Sequence, residues 1–207
     1  MKATLNLIIL RRIKNSLAST ATGRYLLYRF WRAKYGRKCP ANLKLHLGCG
    51  SQKKAGFINI DHRATPATDM VCDIIHLPYP ENSIDRIETY HVIEHIPHPQ
   101  IPDMLREWHR ILQPGGALII ECPNFDEAVR EYLDGNEFRI FNIFGLQRFR
   151  GDAHLFGYNF KRIEKILREA GFKEIQQTEP LDYHKNEEPC IRIESVKDTL
   201  INSKIEK

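Results

Sequence analysis

Acidic residues are missing from the first sixty positions of this 207-residue chain. That stretch holds 13 Lys and Arg, and the first acid is Asp61. All 26 acids come from Asp61 onward, beside 18 basic residues. The net charge of +5 is thus a basic head on a mildly acidic body. It is not a uniformly basic nucleic-acid face, and no nucleic-acid partner is expected. Cysteine is scarce: Cys39, Cys49, Cys72, Cys122 and Cys190 are odd in number and form no CxxC. A disulfide framework or four-thiolate zinc site is disfavoured, and reduced thiols in the cytoplasm are expected. Long apolar runs are also lacking. Leu5-Asn-Leu-Ile-Ile-Leu10 falls far short of the about 20 residues of a membrane-spanning helix, and it is short for a signal peptide without a clear cleavage site. No internal repeat or low-complexity tract is visible. What remains is 42% apolar and 28% charged, an ordinary globular composition.

The head is read as residues 1–40, helical and appended to a domain over 41–207. Leu5, Ile8, Ile9, Ile13 and Leu17 recur at helical spacing. From Tyr25 to Tyr35, Leu26, Leu27, Tyr28, Phe30 and Trp31 mix with Arg29, Arg32 and Lys34. Such a composition suits either a helix packed on the domain or one lying on an anionic membrane surface. Residues 1–38 are the segment expected to make that contact, at the inner membrane face.

From residue 43 the pattern alternates strands with helices. Leu43, Leu45 and Leu47 alternate with Lys44 and His46, and Gly48-Cys49-Gly50 follows. Segments 57–61, 70–73, 84–90 and 117–121 read as further strands. Residues 102–112 carry Met104, Leu105, Trp108, Ile111 and Leu112 at helical spacing, and Pro114-Gly-Gly116 is expected to stop that helix. Residues 125–133 and 160–171 read as helices, 172–178 and 190–196 as a final pair of strands. This order predicts an α/β fold, a mostly parallel sheet with helices on both faces. Ligands in such sheets bind at the carboxyl ends of the strands, where the glycines and acids of this chain stand.

Two phosphate-binding signatures are absent. The dinucleotide fingerprint would place a third glycine where Lys53 stands, and no GxxxxGK[ST] occurs. A glycine turn followed by acids closing the second and third strands suits a cofactor with ribose and adenine but no phosphates.

Leu45-His-Leu-Gly-Cys-Gly50, Ile58-Asn-Ile-Asp61, Asp73-Ile-Ile-His-Leu-Pro-Tyr-Pro80, Ser83-Ile-Asp85, His91-Val-Ile-Glu-His95 and Leu112-Gln-Pro-Gly-Gly116 are specific in their order and spacing. Together they resemble the class I S-adenosylmethionine-dependent methyltransferases, in particular the small ones associated with surface-polysaccharide biosynthesis. The resemblance covers about residues 43–178. It implies a Rossmann-like seven-stranded sheet with an antiparallel C-terminal hairpin, and S-adenosyl-L-methionine as cofactor. Leu47, Gly48, Cys49 and Gly50 would pass under its methionine part, Asp61 would take the ribose hydroxyls, and Asp73 with Ile74 would meet the adenine. Tyr90 and His91 would border the sulfonium. A full first helix is missing here, since Ser51–Gly56 holds one turn at most.

His91-Val-Ile-Glu94-His95 also matches an inverted zinc-hydrolase motif. Its context, a strand before and Pro97 and Pro99 after, disfavours the regular helix that such zinc sites use, and no metal is expected. Glu94 and His95 are read instead as opening a short helix at the mouth of the site. Residues 124–157 form an insertion after the fifth strand, placed to roof the acceptor side, with Arg148 and Arg150 as candidate acceptor ligands. The resemblance places a histidine facing the site at His154.

Transfer of a methyl group to a hydroxyl calls for a base, for which His91 and His154 are candidates with Glu94 behind them. An amine acceptor would need only a positioning group, so O- and N-methylation stay open. The leading expectation is O-methylation of a glycan or lipid-linked saccharide at the inner membrane face. A soluble small-molecule acceptor, and a cofactor-binding protein without activity, are the alternatives.

Overall fold

The computed structural model describes residues 13–17, 20–36 and 40–198. Leu5 to Leu10, Arg11, Arg12 and Arg37 to Cys39 lie outside the described residues, as do 199–207. A short helical stretch spans 13–17, and helix α1 runs Ala21–Tyr35. Thr20 caps α1 by accepting the Gly23 N–H, which satisfies one of the donors a helix start leaves open.

Seven strands follow: β1 Leu43–Leu47, β2 Ile58–Asp61, β3 Met70–Val71, β4 Ile84–Tyr90, β5 Leu112–Pro123, β6 Phe172–Thr178 and β7 Cys190–Lys197. The remaining helices are α2 Ile101–Ile111, α3 Phe125–Leu133, α4 Arg139–Phe144 and α5 Phe160–Glu169. The sheet order is β3-β2-β1-β4-β5-β7-β6. Strands β1 to β5 pair in parallel, and β7 pairs antiparallel with β5 and β6. This is the Rossmann-like class I methyltransferase arrangement with its antiparallel final hairpin.

Strand alternation divides the sheet into two unlike faces. Leu45, Leu47, Ile87, Leu118, Ile120 and Ile193 are fully buried in one core with Met104, Leu105 and Trp108 of α2 and Ile163 and Leu167 of α5. The next residues along the same strands are polar: His46, Arg86, Glu88, Tyr90, Glu121 and Arg192. Register sets His46 beside Glu88, and Tyr90 beside Glu121 beside Arg192. This polar half of the sheet is not evident from the strand pattern, because cross-strand neighbours are unknown until the order is.

Two expected boundaries move. Strand β3 ends at Val71 rather than Asp73, as the Cys72 N–H donates back to the Asp61 carbonyl and Asp73 turns outward. Pro114-Gly-Gly116 does not stop the chain between helix and strand. Pairing jumps from Ile84↔Leu112 to Arg86↔Ala117, so the Pro-Gly-Gly segment is a bulge within β5.

The described part of the head is docked. Trp31, 7% exposed, donates its indole N–H to the Val71 carbonyl at 3.2 Å and joins the core. Tyr35 stacks against Trp31 and touches Tyr79. No helix among the described residues is long and apolar enough to cross a membrane.

Candidate active site

Every element of the site lies at the carboxyl ends of the parallel strands. Leaving β1, Gly48 takes φ +68° and Gly50 φ +50°, a left-handed backbone that glycine adopts without steric cost. At Gly48 a Cβ would meet Val92 Cγ2 at 2.3 Å, whereas at Gly50 it would meet no atom within 4 Å. The turn thus packs on the β4 side at its first glycine and opens to ligand space at its second. Cys49 is buried, which pushes its thiol up to about 11 and leaves it unreactive at neutral pH.

Asp61 pins this turn. One carboxylate oxygen accepts the Gly50 N–H at 2.8 Å, the other the Arg63 N–H at 2.8 Å. Burial works against its charge, but His62 and those two backbone N–H groups hold its carboxyl below the ordinary range. Oδ1 is also met by His62 Nδ1 at 3.2 Å, whereas Oδ2, on the Gly50 N–H, keeps a second lone pair. Asp73 is exposed and accepts the Ile75 N–H, while the Ile74 carbonyl takes the Trp108 indole N–H. Asp73 is thus an exposed acid beside a buried apolar side chain, since Ile74 itself is buried.

A cavity of about 450 Å³ joins this loop to the polar sheet face. Gly48, Cys49 and Tyr90 line it on one side, Lys54, Glu88 and Arg192 below, and Asp182, Tyr183 and His184 on the other. Glu88 is its electrostatic anchor, accepting from Lys54, Arg86 and the Tyr90 hydroxyl. Burial opposes ionisation there, yet these donors bring its carboxyl down to about 2. Lys54, Arg86 and Glu88 form a charge network that the sequence reading missed; nothing in the spacing of three strand and loop residues announces it.

His91 follows β4 with φ +52°, a conformation that costs a non-glycine residue energy and that clusters at functional sites. Its N–H donates to the Glu121 carbonyl. Its Nδ1 lies 3.5 Å from Glu94 and 3.3 Å from Glu188, and its Nε2 3.6 Å from the Cys190 sulfur. Burial disfavours the imidazolium, but Cys190 and Glu94 more than offset it and raise the His91 pKa. Glu94 sits in the 3-10 turn Ile93–His95, 2% exposed. His154 is kept neutral chiefly by burial. The structure thus brings His91, Glu94 and His154 together, as expected, but behind the cavity rather than among the residues that line it.

Two histidines do line it, His46 and His184, and the latter was passed over by sequence reasoning. Its Nδ1 bonds the Asp182 carboxylate, and its ring stacks on His91 with centroids 3.9 Å apart. Asp182 is placed by its own backbone, whose N–H donates to Glu121 at 2.8 Å. An Asp-x-His spacing in a turn is too common to single out from sequence.

The 124–157 insertion does lie across the strand ends. Phe149 receives the Arg63 guanidinium over its ring beyond β2, His154 meets His95 beyond β4, and Asn142 donates to Glu188 before β7. Arg148 is engaged within the insertion by two bonds to Asp152, at 2.9 and 3.0 Å. Arg150 is exposed, and neither arginine lines the cavity.

Comparison with known proteins agrees with this geometry. The family model described as a methyltransferase domain matches residues 50–120. Among solved structures, an S-adenosylmethionine-dependent methyltransferase from Methanosarcina mazei aligns with TM-score 0.54 at 17% identity, covering 77% of this chain and 94% of that one. One from Archaeoglobus fulgidus aligns with TM-score 0.53 at 15% identity, covering 84% and 94%. Human N-acetylserotonin methyltransferase in complex with S-adenosylmethionine aligns with TM-score 0.53 at 16% identity, covering 76% and 48%. At such identities the likeness is one of fold, and the chain has the class I methyltransferase fold. By sequence it is 34% identical over 70 residues to an uncharacterised protein of Methanocaldococcus jannaschii, and 36% identical over 70 residues to an uncharacterised transposon protein of Streptomyces fradiae. The matches cover 34% and 33% of this chain, and 29% and 20% of those relatives.

Proposed function

We propose that the protein is an S-adenosylmethionine-dependent methyltransferase whose acceptor is a small molecule. One observation carries the reading: Gly48 and Cys49 of the glycine turn and the polar, histidine-bearing wall line a single cavity of about 450 Å³, while Gly50, Asp61, Asp73 and Ile74 stand outside its lining. That volume lies in the range of small-molecule sites. The family match over residues 50–120 supports methyl transfer, and the phosphate-free cofactor chemistry agrees with it.

Gly48, Gly50 and Asp61 would hold the cofactor, with Ile74 and Asp73 on the adenine side and Leu47, Cys49 and Tyr90 around the rest. When bound, S-adenosylmethionine supplies an electrophilic methyl group on a sulfonium. The protein's part is alignment, exclusion of water and removal of a proton. Asp182 holds the Nδ1 hydrogen of His184, which leaves the other ring nitrogen as the proton acceptor on the cavity wall. His91, packed against the same ring, keeps His184 in place. His154 and Glu94 act from behind, as positioning groups for that pair.

The small-molecule reading supports the docked head better than a lipid-linked saccharide does. Trp31 and Tyr35 use one side of α1 for packing, so the aromatics of the head are partly explained by the core. Transfer of radiolabelled methyl from S-adenosylmethionine into a fractionated bacterial extract tests the proposal. Label in the water-soluble small-molecule fraction is expected. Label confined to the lipid-linked fraction favours the saccharide acceptor, and cofactor binding with no label in any fraction favours an inactive binding protein.

A further inference from the structure

Glu94 presents an anomaly that methyl transfer does not explain. Neither of its carboxylate oxygens has a hydrogen-bond partner although both are buried. An ionised carboxylate left so is costly unless a cation compensates it. The groups around it are imidazoles. His95 Nε2 stands 3.9 Å away and His91 Nδ1 3.5 Å, both too far for a good hydrogen bond.

The tautomers of two of these rings follow from their partners. His95 Nδ1 lies 3.0 Å from the Ala153 carbonyl, and His154 Nδ1 lies 2.8 Å from the Asn142 carbonyl. A carbonyl only accepts, so both Nδ1 atoms carry hydrogen and both Nε2 atoms are left with lone pairs when the rings are neutral. One ligand atom from each of Glu94, His95 and His154 lies within 4.8 Å of the others. Two bare nitrogens and a bare carboxylate facing one another repel unless a cation joins them. Backbone carbonyls on the far nitrogens are also what orients histidines that ligate metals.

We infer that Glu94, His95 and His154 form a site for a divalent transition metal, zinc being the natural occupant of a two-imidazole, one-carboxylate set. Bonds of about 2.0–2.2 Å would draw the three ligand atoms to roughly 3.3 Å from one another, closer than His95 Nε2 and Glu94 now stand at 3.9 Å. The site has a structural consequence. Glu94 and His95 belong to the turn after β4, while His154 belongs to the insertion that covers the strand ends. These segments already touch through the Leu155 N–H, which donates to the Glu94 carbonyl at 2.7 Å. A metal there would clasp the roof of the cavity to its floor. The inference stands apart from the methyltransferase reading, as the clasp needs neither cofactor nor acceptor.

Cobalt(II) titration of the whole, chelator-treated chain tests it, with a zinc competition to give affinity. One cobalt per chain is expected, with the intense visible absorption of a tetrahedral ion. His154→Ala and His95→Gln should each weaken binding by at least about 100-fold, more than loss of an orienting partner costs. His184→Ala and Cys190→Ser, which alter neighbouring groups, should leave affinity and spectrum unchanged. Zinc should raise the melting temperature of the wild type but not of His154→Ala, and circular dichroism confirms that each variant is folded. The inference is overturned if cobalt binds no tighter than about 10 μM, if His154→Ala binds as the wild type does, or if His184→Ala or Cys190→Ser abolishes the spectrum.

Discussion

Asp61 shows how one side chain links backbone geometry to cofactor chemistry. Its two oxygens fix the Gly50 and Arg63 N–H groups, and we propose that Oδ2 meets a ribose hydroxyl. Asp61→Ala removes charged acceptors from both, and should weaken S-adenosylmethionine binding by about 1.5–3 kcal/mol, read by calorimetry on a variant shown to be folded. Gly48→Ala meets both a left-handed φ of +68° and Val92 Cγ2 at 2.3 Å. A loss of at least about 1–2 kcal/mol in chemical denaturation is expected from the backbone alone. Asp61 stands out in the sequence as an acid closing the second strand after a glycine turn, and the structure sets it against that turn through the Gly50 N–H. His184 does not stand out, because its significance comes from the His91 ring and Asp182 carboxylate packed against it, and from a cavity formed by segments more than a hundred residues apart.

At the scale of the element, the sheet is stabilised differently on its two faces. The α2 and α5 face is apolar and indifferent to pH. The other face depends on Glu88, whose carboxyl stands at about 2 against an ordinary 4.5. Because the folded value is depressed, the stabilisation is complete above about pH 4.5 and is lost as pH falls towards 2. Acid unfolding monitored by circular dichroism should therefore shift to lower sensitivity in Glu88→Gln, with a cost of about 1–3 kcal/mol at pH 7. Helix α1 makes a second prediction. Trp31→Ala removes a buried ring and its bond to Val71, and should cost about 3–4 kcal/mol in denaturant titration. A loss below 1 kcal/mol would show that the head is dispensable to the core. Strands and helices with regular apolar spacing, such as 84–90 and 125–133, were readable to the residue. The Pro-Gly-Gly bulge was not: the same residues stop a helix or bend a strand, and only the register with β4 decides.

For the whole molecule, the fold follows from strand and helix order together with short connections, and the glycine and acid motifs place the cofactor end. The insertion was expected near the strand ends because any segment leaving β5 emerges at the carboxyl ends of the strands. Which of its residues face inward was not recognised. Arg148 turned to Asp152, and Phe138, Phe141, Phe144 and Phe149 are all exposed. The central claim is that the glycine turn and Asp61 bind S-adenosylmethionine. Isothermal titration of the full chain with S-adenosylmethionine, S-adenosylhomocysteine and NAD tests it most directly. Micromolar or tighter binding of the first two, weakened about tenfold or more in Asp61→Ala, is the predicted result. Tighter binding of NAD, or equal affinity in wild type and variant, would contradict it.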